Sequence, residues 1–358
     1  MTLKQVQHKK RILVAPLNWG LGHATRSIPI IKALIAHDFE PIIASDGAAL
    51  ILLQKEFPSL LSIELPSYNV TYAKKGKHFK LKLIKDSPKL LKAIKTEKKA
   101  TDYILEHYNI TGIISDNRLG VRSKKVPSIF MTHQLNVLSG NTTWLSTKLH
   151  DKFIKKFDVC WVPDTEGEIN LSGKLGHKNT LELPTEYIGP LSRFEKKNLN
   201  IVNDLLVIIS GPEPQRTLLE EKLLQELKNY SGKVVFVKGI MENEQTIEVL
   251  DNITIYNFMT SELLGKSINE SELVVSRSGY TTVMDLAKLS KKAFFIPTPG
   301  QFEQEYLAER LTKMGLVPSC NQDEFTLDKL NTIDDFKGLS AFEYEVDFKK
   351  LFRLFERE

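Results

Sequence analysis

The segment Asn18-Trp-Gly-Leu-Gly-His-Ala-Thr-Arg26 places a histidine just after a glycine-rich turn. Gly20 and Gly22 let the backbone turn tightly and bring its N–H groups close to a bound ligand. His23 then opens a helix, and an imidazole there can exchange a proton near neutral pH. Asp116 ends a later apolar run and has the chemistry to orient that ring and stabilise its protonated form. The plainer reading is an ordinary strand–turn–helix with a satisfied polar histidine and a capping aspartate. The turn lacks the third glycine of a dinucleotide fingerprint, and Arg26 stands near that place. Arg118 and Arg122 follow Asp116 and, with Arg26 and His133, offer groups at the same crevice that could meet an anionic ligand.

Two further segments carry polar groups at helix starts. In Ser276-Arg-Ser-Gly-Tyr-Thr-Thr-Val-Met-Asp-Leu286, Ser278, Gly279, Thr281 and Thr282 gather small groups and N–H donors at a helix N-terminus, which suits a diphosphate. Asp285 follows on the same helix, within reach of a ribose diol. Helix capping is the alternative explanation. In Pro297-Thr-Pro-Gly-Gln-Phe-Glu-Gln-Glu-Tyr306, a Pro/Gly turn leads into a helix that projects Gln304 and Glu305 beside the second segment. Both side chains can hydrogen-bond sugar hydroxyls.

The elements that must position these groups alternate between β-branched runs and helix-period segments, the pattern of a parallel α/β sheet. One series of strands is expected at Arg11–Leu17, Glu40–Ser45, Gly112–Asn117, Pro127–His133 and Val159–Pro163. A second runs through Leu205–Ser210, Lys233–Lys238, Ile253–Phe258, Leu273–Ser276 and Ala293–Pro297. The expected division is a Rossmann-like domain over 1–190 and another over 199–337, with a C-terminal helix in 338–358 crossing back to the first. Two such sheets face each other across a cleft, with strand C-termini on both sides.

The chain has 358 residues and a formal net charge of +5, ordinary for a two-domain globular protein. That charge is too small to imply nucleic acid. Only Cys160 and Cys320 occur, without metal-ligand spacing, so neither a metal site nor a disulfide framework is expected. The polar segment Met1–Arg11 lacks the apolar core of a signal peptide, and no apolar run is long enough to span a membrane. Between Lys74 and Lys99, eleven lysines meet only Asp86 and Glu97. This is either a solvated helix face or a basic surface that docks on anionic lipid.

The motifs together resemble the glycosyltransferase family 28 group, which includes the lipid-II-forming UDP-N-acetylglucosamine transferases. The resemblance is most specific from Asn252 to Leu316, where Asn257-Phe-Met, Ser276-Arg-Ser-Gly and Gln304-Glu-Tyr fall in the family's order. It implies the glycosyltransferase B fold and an inverting, metal-independent hexosyltransferase that needs no cofactor beyond its nucleotide-sugar substrate, a UDP-sugar such as UDP-GlcNAc. It implies that the backbone at Met259 contacts the base and that Asp285 holds the ribose. Ser278, Gly279 and Arg277 border the diphosphate, Gln304 and Glu305 the sugar, and Arg193 reaches a phosphate from the linker. Gly22 and His23 match the family's N-terminal glycine loop. The acceptor implied is a lipid-linked or cell-envelope glycan, met from the cytoplasmic face of the membrane. In Ser210-Gly-Pro-Glu-Pro-Gln-Arg216 two prolines replace N–H donors, which weakens any phosphate nest there. Two other activities fit the same residues: a UDP-sugar 2-epimerase-like enzyme of this fold, and a non-catalytic nucleotide-sugar-binding subunit.

Overall fold

The computed structural model describes residues 9–68, 79–137, 143–178, 182–342 and 344–356. The start of the chain (1–8) and the first lysines of the basic stretch (74–78) lie outside the described residues.

The first sheet is built from β1 (Arg11–Pro16), β2 (Glu40–Ser45), β3 (Ser62–Glu64), β4 (Ile110–Asp116), β5 (Ser128–Met131), β6 (Val159–Val162) and β7 (Thr185–Tyr187). Its seven strands are parallel, in the order β3-β2-β1-β4-β5-β6-β7. Helices α1 (Gly22–Ala36), α2 (Gly47–Glu56), α3 (Phe79–Tyr108) and α4 (Thr143–Ile154) make its crossovers. Continuous apolar runs such as Ile12–Ala15 are buried on both faces, as a parallel sheet covered by helices requires. The strand order reverses between β1 and β4, whose last residues Pro16 and Asp116 are register partners. That reversal opens a crevice at the strands' carboxyl ends.

The second sheet holds β8 (Asn203–Ile208), β9 (Val234–Val237), β10 (Ile247–Leu250), β11 (Ile253–Tyr256), β12 (Ser271–Ser276) and β13 (Lys292–Phe295). The order is β10-β11-β9-β8-β12-β13, parallel except for β10. Helices α5 (Gln215–Leu227), α6 (Ser261–Asn269), α7 (Tyr280–Lys288) and α8 (Phe302–Lys313) accompany it. Its own reversal lies between β8 and β12. The loop after β12 therefore opens α7 opposite the loop that opens α1.

Residues 188–202 connect the sheets, and α9 (Phe348–Glu356) returns to the first domain. There Phe352 and Phe355 lie against Phe39, with ring centroids 5.7 and 6.1 Å away. Both rings are buried, each stabilising the crossing by about 1.5–3 kcal/mol. One apolar cluster runs unbroken from α1 across the seam to Tyr280, Met284 and Leu307.

Candidate active site

The switch point between β1 and β4 brings His23 and Asp116 together. His23 Nδ1 lies 2.9 Å from Asp116 Oδ1. Because Nδ1 donates to that carboxylate, the free lone pair sits on Nε2, the arrangement of a general base held by an aspartate. Arg26, one turn along α1, grips the same carboxylate bidentately, with Nε 2.6 Å from Oδ2 and the second contact from Nη2 to Oδ1. Burial alone would raise the Asp116 carboxyl. Arg26 and then His23 outweigh it and hold it down to about 2. Asp116 is therefore ionised throughout the physiological range.

Arg26 does not face an acceptor surface, as its sequence position suggests. It is 1% exposed, and its remaining amino group turns inward, Nη1 standing 2.6 Å from His133 Nδ1. A guanidinium can only donate, so His133 Nδ1 accepts and the ring proton lies on Nε2. That nitrogen points across the seam to Glu303 Oε1, 2.9 Å away on the first turn of α8. Gln134 donates to the other Glu303 oxygen. The His133 ring also stacks on Tyr280, centroids 4.5 Å apart and 5° from parallel, while the Tyr280 hydroxyl donates to the Pro163 carbonyl at 2.8 Å. Burial lowers the His133 pKa against the opposing pull of Glu303. With Arg26 donating to it, the ring is neutral.

The two helix N-termini meet directly. Thr281 Oγ1 donates to the Gly22 carbonyl at 3.1 Å, and a Cβ at Gly22 would stand 3.2 Å from that oxygen. Glycine at 22 thus sets how closely α1 and α7 approach. Both helices present their positive ends here, a place suited to a diphosphate. Gly279 caps α7, and Thr282 is half-buried on its first turn.

The side chains of other expected donor residues have partners within the second domain. Arg277 is buried within its own domain, donating to the carbonyls of Ile296, Pro297 and Gln215 and to Gln322 Oε1 at 2.7–3.1 Å. Burial lowers its pKa to about 10. Its guanidinium fixes the loops around the N-terminus of α7. The Ser278 hydroxyl is used likewise, donating to the Gln304 carbonyl at 2.8 Å. Gln304 is buried and accepts from the Thr298 N–H at 2.8 Å. Glu305 Oε1 accepts from the Gly300 N–H at 2.8 Å, closing the turn before α8. Met259 is buried, with its sulfur 3.6 Å from the Ser267 hydroxyl.

Asp285, expected to hold a ribose, faces the linker. Its Oδ1 accepts from Ser192 Oγ at 2.8 Å, and its Oδ2 lies 4.0 Å from Arg193 Nε. Burial dominates and lifts its pKa to about 6 despite Arg193. Arg193 is itself buried beside α6, 3.3 Å from the Ser261 hydroxyl and stacked 4.7 Å from the Phe194 ring.

Arg118 does not face an acceptor either. Arg118 is fully buried, paired with Asp46 and with Glu97 Oε1 at 3.1 Å, while Glu97 also takes the Tyr68 hydroxyl at 2.5 Å and the Gly120 N–H at 2.7 Å. Through Asp46, which Asn18 reaches at 3.2 Å, this network braces the glycine loop from behind. Arg122 lies on the α3 side of the sheet, in the field of Asp102 and near Lys156. Sequence reasoning overlooked Glu303 and Tyr280. Their only signals were an acid in the first turn of α8 and an aromatic opening α7.

Comparison with known proteins agrees with this geometry. Residues 206–336 match the model described as glycosyltransferase family 28 C-terminal domain. A Buchnera aphidicola UDP-N-acetylglucosamine--N-acetylmuramyl-(pentapeptide) pyrophosphoryl-undecaprenol N-acetylglucosamine transferase is 25% identical over 216 residues, 58% of this chain and 56% of that relative. The match thus spans little more than half of the relative's length. The solved structure of Acinetobacter baumannii MurG superposes with a TM-score of 0.55 at 13% identity, covering 98% of this chain and 100% of that one. The spinosyn rhamnosyltransferase SpnG complexed with thymidine diphosphate gives 0.60 at 14% identity, covering 97% and 96%. These likenesses show the glycosyltransferase B fold, and the resemblance drawn from the C-terminal motifs holds. Among the described residues no helix is long and apolar enough to cross a membrane.

Proposed function

We propose that the protein moves a hexose or N-acetylhexosamine from a UDP-sugar to a hydroxyl of a lipid-linked or envelope glycan, inverting the anomeric centre without a metal. The observation that carries this reading is the His23–Asp116 pair, 2.9 Å apart, at the seam where the N-terminus of the family 28 domain's α7 meets α1. His23 Nε2 takes the proton of the acceptor hydroxyl as its oxygen bonds to the anomeric carbon. The bond from that carbon to the diphosphate breaks on the opposite face, and UDP leaves with the electron pair. Asp116 stabilises the imidazolium formed, and the N-terminus of α7 offsets charge developing on the leaving group.

The donor class is supported by the Buchnera relative, whose name specifies UDP-N-acetylglucosamine and an undecaprenol-linked acceptor. The SpnG neighbour, complexed with thymidine diphosphate, supports a nucleoside diphosphate as a ligand of this fold. A location on the cytoplasmic face of the membrane belongs to the same reading. The test is UDP release from a panel of UDP-sugars, with and without polyprenyl-linked acceptors. Release that depends on acceptor supports transfer; donor conversion to an epimer without acceptor, or binding without turnover, supports one of the other two activities.

A further inference from the structure

The Asp116–Arg26–His133–Glu303 chain crosses the seam, and only its last member belongs to the second domain. We infer that Glu303 is a positioning residue through which docking of the second domain sets the His23 base, an inference that rests on the proposed transferase reading.

Arg26 has two ways to satisfy its donors. Its Nη2 lies 2.8 Å from His23 Nδ1 as well as beside Asp116 Oδ1, so it competes with Asp116 for the nitrogen that must carry the ring proton. A His23 ring that accepts from Arg26 at Nδ1 carries its proton on Nε2 and cannot act as base there. The pull on Nη1 from His133 Nδ1, at 2.6 Å, draws the guanidinium toward the carboxylate side. His133 can accept at Nδ1 only while its proton resides on Nε2, and Glu303 Oε1, 2.9 Å from that nitrogen, holds it there. The groups facing His133 are Arg26 and Glu303, with His23 beyond Arg26 and the Tyr280 ring stacked on its face. When the domains part, Glu303 leaves, the His133 tautomer is no longer fixed, and Arg26 is free to bind His23. The base is thereby armed only against a docked donor domain.

Glu303 is partly exposed, with 20% of its side chain accessible, so its variants should fold. The experiment follows UDP release from UDP-N-acetylglucosamine, with water as the receiving hydroxyl, and the ¹⁵N shifts of the His133 ring. Glu303→Ala should lower kcat by about 10- to 100-fold, the usual effect of a displaced reacting group, with the donor KM nearly unchanged. Glu303→Gln, which still accepts from Nε2–H, should restore most of the rate. Glu303→Ala added to His133→Ala should cost nothing further, because both break one chain. The ¹⁵N shifts should show His133 as the Nε2–H tautomer in the native chain and a tautomer mixture in Glu303→Ala. Wild-type kcat in Glu303→Ala, additive losses in the double variant, or an unchanged tautomer would each overturn the inference. A native chain that releases no UDP either with water or with the polyprenyl-linked acceptors, while its His133 tautomer depends on Glu303, would instead count against the transferase reading and leave the coupling standing.

Discussion

Ser192 Oγ lies 2.8 Å from Asp285 Oδ1, so the carboxylate that the motif pattern assigns to a ribose is engaged by the interdomain linker. Its pKa of about 6 stands above the ordinary 3.8, because burial outweighs Arg193. A raised carboxyl favours the folded state through its protonated form. That contribution is complete below about pH 4 and is lost as pH rises through 6. Two pKa units correspond to about 2–3 kcal/mol. Urea unfolding should therefore show the native chain losing stability across that window, and Asp285→Asn should show a flatter profile. Parallel profiles for the two proteins would mean that the carboxyl is not buried against the linker.

Arg277 bonds to three carbonyls and a glutamine inside the second domain. Arg277→Lys cannot reproduce a planar fork with that many donors, and removing a buried charge-assisted contact costs about 1.5–3 kcal/mol. The melting temperature should fall while the folded fraction binds UDP as before. A large loss of UDP affinity without destabilisation would put the guanidinium on the nucleotide.

Gly173 has φ of +53°, and a Cβ there would stand 2.2 Å from the Tyr306 hydroxyl of the other domain. Gly173→Ala should add strain of about 1 kcal/mol from the left-handed backbone and push the domains apart. Small-angle scattering should then give a larger radius than the native chain, and Tyr306→Ala with Arg310→Ala in the same chain should return it, since the Arg310 side chain also stands within 2.9 Å of that Cβ. An unchanged radius would mean that the seam here is already open in solution.

Much of the fold was legible because parallel strands buried on both faces read as unbroken β-branched runs. Strand β10 escaped because all four of its residues are exposed at an antiparallel edge and carry no burial pattern. His23 and Asp116 were legible as a pair because strand order puts both at the β1/β4 reversal. The arginines misled. Residue type says that a guanidinium can bind an anion, but whether its partner is Asp46, a neutral carbonyl or a substrate depends on which way the side chain packs. Glu303 was invisible for a related reason: it is one residue from Gln304 on α8, and about 100° of helix phase decides which of the two meets His133.

Asp116 neutralises a fully buried arginine, so Asp116→Asn leaves Arg26 with its charge uncompensated. Breaking such a pair from one side costs about 3–5 kcal/mol. Chemical denaturation should register that loss, and Arg26→Met added to Asp116→Asn should recover part of it by removing the stranded charge. Equal stability of Asp116→Asn and the native chain would contradict the buried bidentate geometry.

The proposed role of His23, held by Asp116 at the domain seam, is that of the base of a sugar transfer. It is tested most directly by measuring UDP release and UDP affinity together in the native chain and in His23→Ala. His23→Ala should lose about 10²- to 10⁴-fold in rate, the usual worth of a general base, with UDP binding retained. A variant that releases UDP at the native rate would contradict it.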